Sequence, residues 1–253
     1  MIATERRTAE QEFHDKQAAE RAAARLDLRF RDDEYLDHET WIRPALARFG
    51  DLRGQRVLEY GCGHGMAAVT LARAGANVTA FDLSPGYVSE ARARARANRA
   101  NVKCVVADGE ELPFEDASFD AVWGNAILHH LELQRAGREL HRVLRPGGVA
   151  VFCEPWGGNP ALAFARRFLP YTGKDRTPDE RPLTKRGLAP LRAIFPTMEV
   201  EGFQLLGMVR RAWRAGRVSG RGFALDDVDR AALQVFPWLW NWCRYVVIEL
   251  RKS

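Results

Sequence analysis

The chain has 253 residues, 46% of them hydrophobic, enough for one sizeable α/β domain with appendages and too apolar for wholesale disorder. A net charge of +5 permits contact with nucleic acid or anionic lipid without requiring either. The four cysteines, Cys62, Cys104, Cys153 and Cys243, stand far apart with no CxxC pair, which argues against a zinc site or a disulfide framework and fits a reducing compartment.

Met1 to Arg25 is charged and lacks the apolar centre of a signal peptide. No apolar run approaches the roughly 20 residues needed to span a bilayer. The expected location is therefore the cytoplasm, with contact at the inner membrane face left open. Thr4 to Leu28 is rich in Ala, Glu, Arg and Gln, has almost no aliphatic stripe, and reads as an exposed helix or arm. A second helix is expected over Glu34 to Phe49, with Tyr35, Trp41, Ile42 and Leu46 facing the domain that begins after Gly54.

From there the periodicity alternates. Strands are expected at Arg56–Tyr60, Asn77–Phe81, Val102–Ala107, Phe119–Gly124 and Val149–Cys153. Helices are expected after Gly65, from Ser84-Pro85 to Asn98, and from Glu132 to Leu144. Ser84 is a ready N-cap with proline at the first helical position. Pro146-Gly147-Gly148 has the residues of a tight turn before strand five. Strands separated by helices imply a doubly wound, mainly parallel sheet whose ligand site lies at the strands' C-terminal ends. Glu59, Asp82, Asp108, Asn125 and Glu154 stand at those ends, so they should converge on one crevice.

The stretch Val57-Leu58-Glu59-Tyr60-Gly61-Cys62-Gly63-His64-Gly65 joins the first strand to the first helix of this unit. Alternating glycines let a backbone turn sharply and approach a ligand closely. The dinucleotide fingerprint is G-x-G-x-x-G. Here the spacing is G-x-G-x-G, and Glu59 precedes it, where a pyrophosphate would be repelled and a ligand with a cationic part favoured.

Four blocks in order resemble class I S-adenosylmethionine-dependent methyltransferases, in the small-molecule group that includes the ubiquinone and menaquinone methyltransferases. They are Val57–Gly65, Phe81-Asp82-Leu83-Ser84, Ala107-Asp108-Gly109 with Leu112-Pro113-Phe114 and Ser118–Val122, and Leu144-Arg145-Pro146-Gly147-Gly148. The resemblance covers about residues 54–155 and implies a Rossmann-like, seven-stranded sheet with S-adenosyl-L-methionine as methyl donor and S-adenosyl-L-homocysteine as product. By that likeness Glu59 serves the amino-acid end, and Gly61, Cys62, Gly63 and Gly65 pass beneath the methionyl and ribose parts. Asp82 takes the ribose hydroxyls, Leu83 packs on the adenine, and Asp108 with Gly109 meets its edge. Asn125 lies near the transferring methyl. Alone, Asp82 reads better as a helix cap, a reading that the glycine loop at this spacing reverses, and Asp108 has a turn residue as its alternative. Cys62 reads as a small residue between glycines, since a catalytic thiol wants a paired base.

His129 and His130 are the candidates for a general base at the acceptor, with packing of the loop as the alternative. Adjacent residues point apart, and His14, His38 and His141 offer no spacing that completes a metal site, so no metal is expected. Orientation alone supplies much of the rate in such a displacement, and no base is then required. Tyr35, Glu154 and Trp156 are candidates for the acceptor pocket.

After Glu154 the texture changes to Pro, Gly, Arg and aromatics. A helix at Leu188–Phe195 and strands at Val200–Met208 and Tyr245–Leu250 are expected, separated by a Trp-rich insertion, Val209 to Arg244. The whole is expected to be one methyltransferase domain, with N-terminal helices over 1–53, a cofactor core over 54–155, and a lid, insertion and last strands over 156–253. The aromatics and arginines suit an apolar or aromatic small acceptor, a membrane interface or a dimer contact. Hydroxyl methylation is favoured over carbon methylation. Nucleic acid is not an expected partner, because Asn125-Ala126-Ile127-Leu128 lacks an Asn-Pro-Pro-aromatic clamp. A nucleic-acid or protein methyltransferase and a non-catalytic binding module stand as alternatives.

Overall fold

The computed structural model describes residues 3–24, 26–168, 182–206 and 222–253. At its centre is a seven-stranded sheet in the order β3-β2-β1-β4-β5-β7-β6. β1 (Arg56–Tyr60), β2 (Asn77–Asp82), β3 (Val102–Val106), β4 (Phe119–Asn125) and β5 (Leu144–Pro155) are parallel. β7 (Tyr245–Arg251) runs antiparallel between β5 and β6 (Met198–Phe203). The fold is thus the expected doubly wound, mainly parallel seven-stranded sheet. The strand order reverses between β1 and β4, which opens a crevice at their C-terminal ends.

Alternate residues of the central strands serve two cores. Val57, Ala121, Trp123, Val151 and Val247 pack with α4 (Met66–Arg73) and α5 (Pro85–Ala97) on one face. Leu58, Tyr60, Val122, Phe152 and Ile248 pack with α6 (Leu133–Val143) and α8 (Ala189–Ile194) on the other. Strands buried on both faces read as near-continuous apolar runs, which is why β1, β4 and the second half of β5 were visible in the sequence.

Three expectations need revision. The helix of 34–49 is two short ones, α2 (Asp32–Leu36) and α3 (Ile42–Ala47), because Asp37, His38 and Glu39 offer no apolar side chain to bury between them. Pro146-Gly147-Gly148 lies within β5, where the pairing with β4 jumps from Phe119↔Leu144 to Ala121↔Val149, and Gly147 at φ +75° sends its N–H to Lys252 O at 2.8 Å. The Trp-rich run settles as a short 3₁₀ helix at Pro237–Trp242 following α9 (Gly222–Val235). Third, and with most consequence, α1 (Ala3–Ala23) is not a free arm: it lies on α5 and over the crevice.

α7 (Pro160–Phe168) follows β5. Arg210, Arg211, Trp213, Arg214, Arg217 and Arg221, among the aromatics and arginines read as suiting an apolar acceptor, a membrane interface or a dimer contact, lie outside the described residues, as does Tyr171. No helix among the described residues is long and apolar enough to cross a membrane.

Candidate active site

The crevice holds about 800 Å³ of empty space, counting its mouth, between the C-terminal ends of β1, β2 and β4 and the inner side of α1. Its floor is the glycine turn. Gly61 and Gly63 have φ of +73° and +47°, a region that costs a residue with a Cβ about 1–2 kcal/mol. A Cβ on Gly61 would also meet the Ile127 side chain at 2.6 Å.

Asp82, at the end of β2, fixes that turn. Its Oδ2 accepts the Gly63 N–H at 2.8 Å and its Oδ1 accepts the Ser84 N–H at 2.9 Å, leaving further lone pairs toward the cavity. Burial pushes its carboxyl above the ordinary aspartate range, against those two amides. Ser84 caps α5 as expected, accepting from Tyr87 N at 3.1 Å, and its hydroxyl donates to Asp15 of α1.

Asp108 follows β3 on the opposite wall. Its Oδ1 accepts the Glu110 N–H at 2.8 Å, and its Oδ2 lies 2.8 Å from Arg7 Nη1 of α1. Gly109 is held by Tyr60, whose hydroxyl donates to its carbonyl, and a Cβ there would strike the Tyr60 ring at 2.8 Å. Glu110 anchors α1: it accepts from Arg6, from Arg7 at 3.0 Å and from the Glu132 N–H at 2.9 Å. Burial opposes ionisation of Glu110, but the amide and the two guanidinium groups outweigh it and hold its carboxyl below the usual range.

The segment after β4 carries local strain. Ala126 adopts φ +57°, and its N–H reaches Cys153 O at 2.7 Å. Glu154, fully buried, gathers that segment: Oε1 accepts from the amides of Ile127 at 2.9 Å and Leu128 at 2.8 Å, and Oε2 lies 2.8 Å from His129 Nδ1. The two candidate histidines therefore divide. His129 turns inward to Glu154, whereas His130 lines the cavity and pairs through Nδ1 with Glu10 of α1.

Gly61, Gly63, Asp82, Leu83, Asp108, Gly109 and Asn125 also line this cavity. Glu59, Cys62 and Gly65 stand behind it. Glu59 is 4% exposed, burial raises its carboxyl well above the ordinary range, and Oε2 has no partner among the described residues. Cys62 is buried with its thiol pushed well up, and Gly65 packs against Ala91. Tyr35, Glu154 and Trp156 do not line the cavity. Tyr35 is buried with its hydroxyl 3.2 Å from Trp123 Nε1, and Trp156 packs on Trp240 at 5.2 Å. Trp240 belongs to a second cleft with Thr40 and Leu233, and the two clefts share no lining residue.

Sequence reasoning missed the α1 contribution: Arg6, Arg7, Glu10 and His14 all line the cavity. Their helix has no apolar stripe because it docks through charge, and charge spacing does not announce a partner.

A family model described as a methyltransferase domain matches residues 58–152, the stretch holding the glycine turn, Asp82, Asp108 and the post-β4 segment. Residues 58–152 are thus a methyltransferase domain. The chain is 42% identical over 136 residues to the malonyl-[acyl-carrier protein] O-methyltransferase of Pseudescherichia vulneris, covering 49% of this chain and 53% of that one. It is 43% identical over 130 residues to the demethylmenaquinone methyltransferase of Clavibacter sepedonicus, covering 51% and 52%. The chain thus spans about half the length of the curated relatives it matches. In fold it is similar to the PH0226 protein from Pyrococcus horikoshii OT3, with a TM-score of 0.58 at 20% identity over 90% of this chain and 94% of that one.

The cavity's groups fit the methyl donor of such a domain. Bare glycine backbone on the floor, a carboxylate on each of two walls and an amide side chain at Asn125 match a ligand with an amino-acid end, a ribose diol and an adenine.

Proposed function

We propose that the chain transfers a methyl group from S-adenosylmethionine to the hydroxyl of a small apolar or aromatic acceptor, with carbon methylation the second choice. The observation that carries this reading is the pairing of Asp82 with the Gly61–Gly63 turn on one cavity that also presents His130. An O-methyltransferase and a quinone-type methyltransferase among the relatives support the acceptor class. Phe81, Ile127 and Leu131 add apolar wall.

When bound, S-adenosylmethionine supplies an electrophilic methyl on a sulfonium centre. Asp82 holds the ribose hydroxyls in this reading, Asp108 and Gly109 the adenine edge, and Gly61 and Gly63 keep the floor open. Asn125 and Ile127 flank the place where an acceptor oxygen must stand in line. His130 takes the hydroxyl proton as that oxygen bonds to carbon, and Glu10 steadies the resulting imidazolium. His129 and Glu154 position the segment that carries His130.

The test is product formation: S-adenosylhomocysteine released in the presence of phenols, hydroquinones and carboxylic or fatty acceptors. His130→Ala is expected to lower kcat by about a hundredfold, the scale of a lost general base, with little change in the affinity for S-adenosylhomocysteine. Methylation of none of these classes, together with methylation of a peptide or nucleic acid, would replace this acceptor assignment.

A further inference from the structure

The described residues contain one cluster that the methyl-transfer reading does not fully use. Glu10 and His14 stand one turn apart on α1, so both face the crevice. Across it stands His130, whose ring centroid is 5.7 Å from that of His14. One donor atom from each of the three residues lies within 4.8 Å of the other two. In sequence His14 and His130 are far apart, and only the docking of α1 brings them together.

His14 Nδ1 is buried and has no hydrogen-bond partner among the described residues. A buried unpaired ring nitrogen is destabilising unless something fills its lone pair. The surrounding charge favours a cation. Arg6 and Arg7, the nearest positive groups on α1, are already engaged by Glu110 and Asp108. The Asp82 carboxylate lines the same cavity as both imidazoles. Two imidazoles and one carboxylate form the three-ligand set of open zinc-type sites, which leave further positions for a small molecule.

We propose that Glu10, His14 and His130 form a binding site for one divalent first-row transition-metal ion, of the zinc type, on the wall of the methyl-transfer cavity. Donors around such an ion at about 2.1 Å stand about 3–4 Å apart, so modest side-chain movement gathers these three. The ion's open position faces the place assigned above to the acceptor hydroxyl, and this part rests on the methyl-transfer reading. An acceptor oxygen held there ionises more readily, its proton passing to water. In that state His130 is a ligand and no longer the proton acceptor.

The test uses the full chain, stripped with a chelator and titrated with Co²⁺ and with Zn²⁺, following cobalt d–d absorption and heat. The site predicts one ion per chain, visible cobalt bands, and a loss of affinity of at least about tenfold in His14→Ala and in Glu10→Gln. His38→Ala, at an exposed histidine outside the cavity, should keep the wild-type affinity. Absence of stoichiometric uptake, or uptake unchanged in both cavity variants, would overturn the site. Should His14→Ala lose its cooperative melt, Glu10→Gln decides alone. S-adenosylhomocysteine is titrated into the same metal-free samples: its binding without metal uptake removes the ion and keeps the methyl-transfer reading. Metal uptake without it does the reverse.

Discussion

The Asp82 carboxylate accepts the Gly63 amide at 2.8 Å, tying the end of β2 to the glycine turn that follows β1. One side chain thereby shapes the cavity floor and stands on its wall. Asp82→Ala should weaken S-adenosylhomocysteine binding by about tenfold or more, through loss of charge-assisted hydrogen bonds to the ligand and a looser turn. Unchanged affinity in calorimetry would remove the ribose role.

Gly61→Ala combines a left-handed φ with a Cβ placed 2.6 Å from Ile127. The backbone term alone is about 1–2 kcal/mol, and the clash displaces the segment carrying His130. A lower urea midpoint and weaker product binding are expected together. A fully stable variant would show that the turn tolerates a side chain.

Glu154→Ala removes the acceptor for two buried amides and the partner of His129. Orphaned buried donors cost about 1–3 kcal/mol each, so a loss of roughly 3 kcal/mol or more in denaturant unfolding is expected, with Glu154→Gln milder. Loss of turnover with full stability would instead move Glu154 into the chemistry.

Two buried groups set opposite pH slopes. Burial holds His64 down to about 4, with the positive charge of Arg21 adding to it, so between pH 4 and 6.5 the unfolded chain binds the extra proton. Stability from His64 therefore rises with pH across that window and is level above it. His64→Gln should flatten the slope there. Glu59 is the reverse case: its folded carboxyl is raised by burial, the folded chain holds the extra proton above the unfolded range near 4.5, and stability falls as pH rises from there. Glu59→Gln should be the more stable protein at pH 7 without ligand. A melting temperature below wild type at that pH would mean that the Glu59 charge has a partner.

The sheet was legible because parallel strands such as Val57–Tyr60 and Ala121–Gly124 are buried on both faces and end on glycine or aspartate. The cavity floor was legible for the same reason, since φ-positive glycines and strand-end acids are local features. Docking of α1 was not, because Arg6, Arg7, Asp15 and Arg21 find Glu110, Asp108, Ser84 and Glu90 through charge, without an apolar stripe. Trp156 and Tyr35, expected at the acceptor pocket, do not line this cavity. Large aromatics near a strand end suit a pocket wall and an interior equally, and here both are interior.

We propose that this cavity holds the methyl donor. Calorimetric titration with S-adenosylhomocysteine, run beside NAD, tests it most directly. One equivalent of S-adenosylhomocysteine bound, with no heat from NAD, is the predicted result. Binding of NAD in its place, or of neither ligand, would contradict the account.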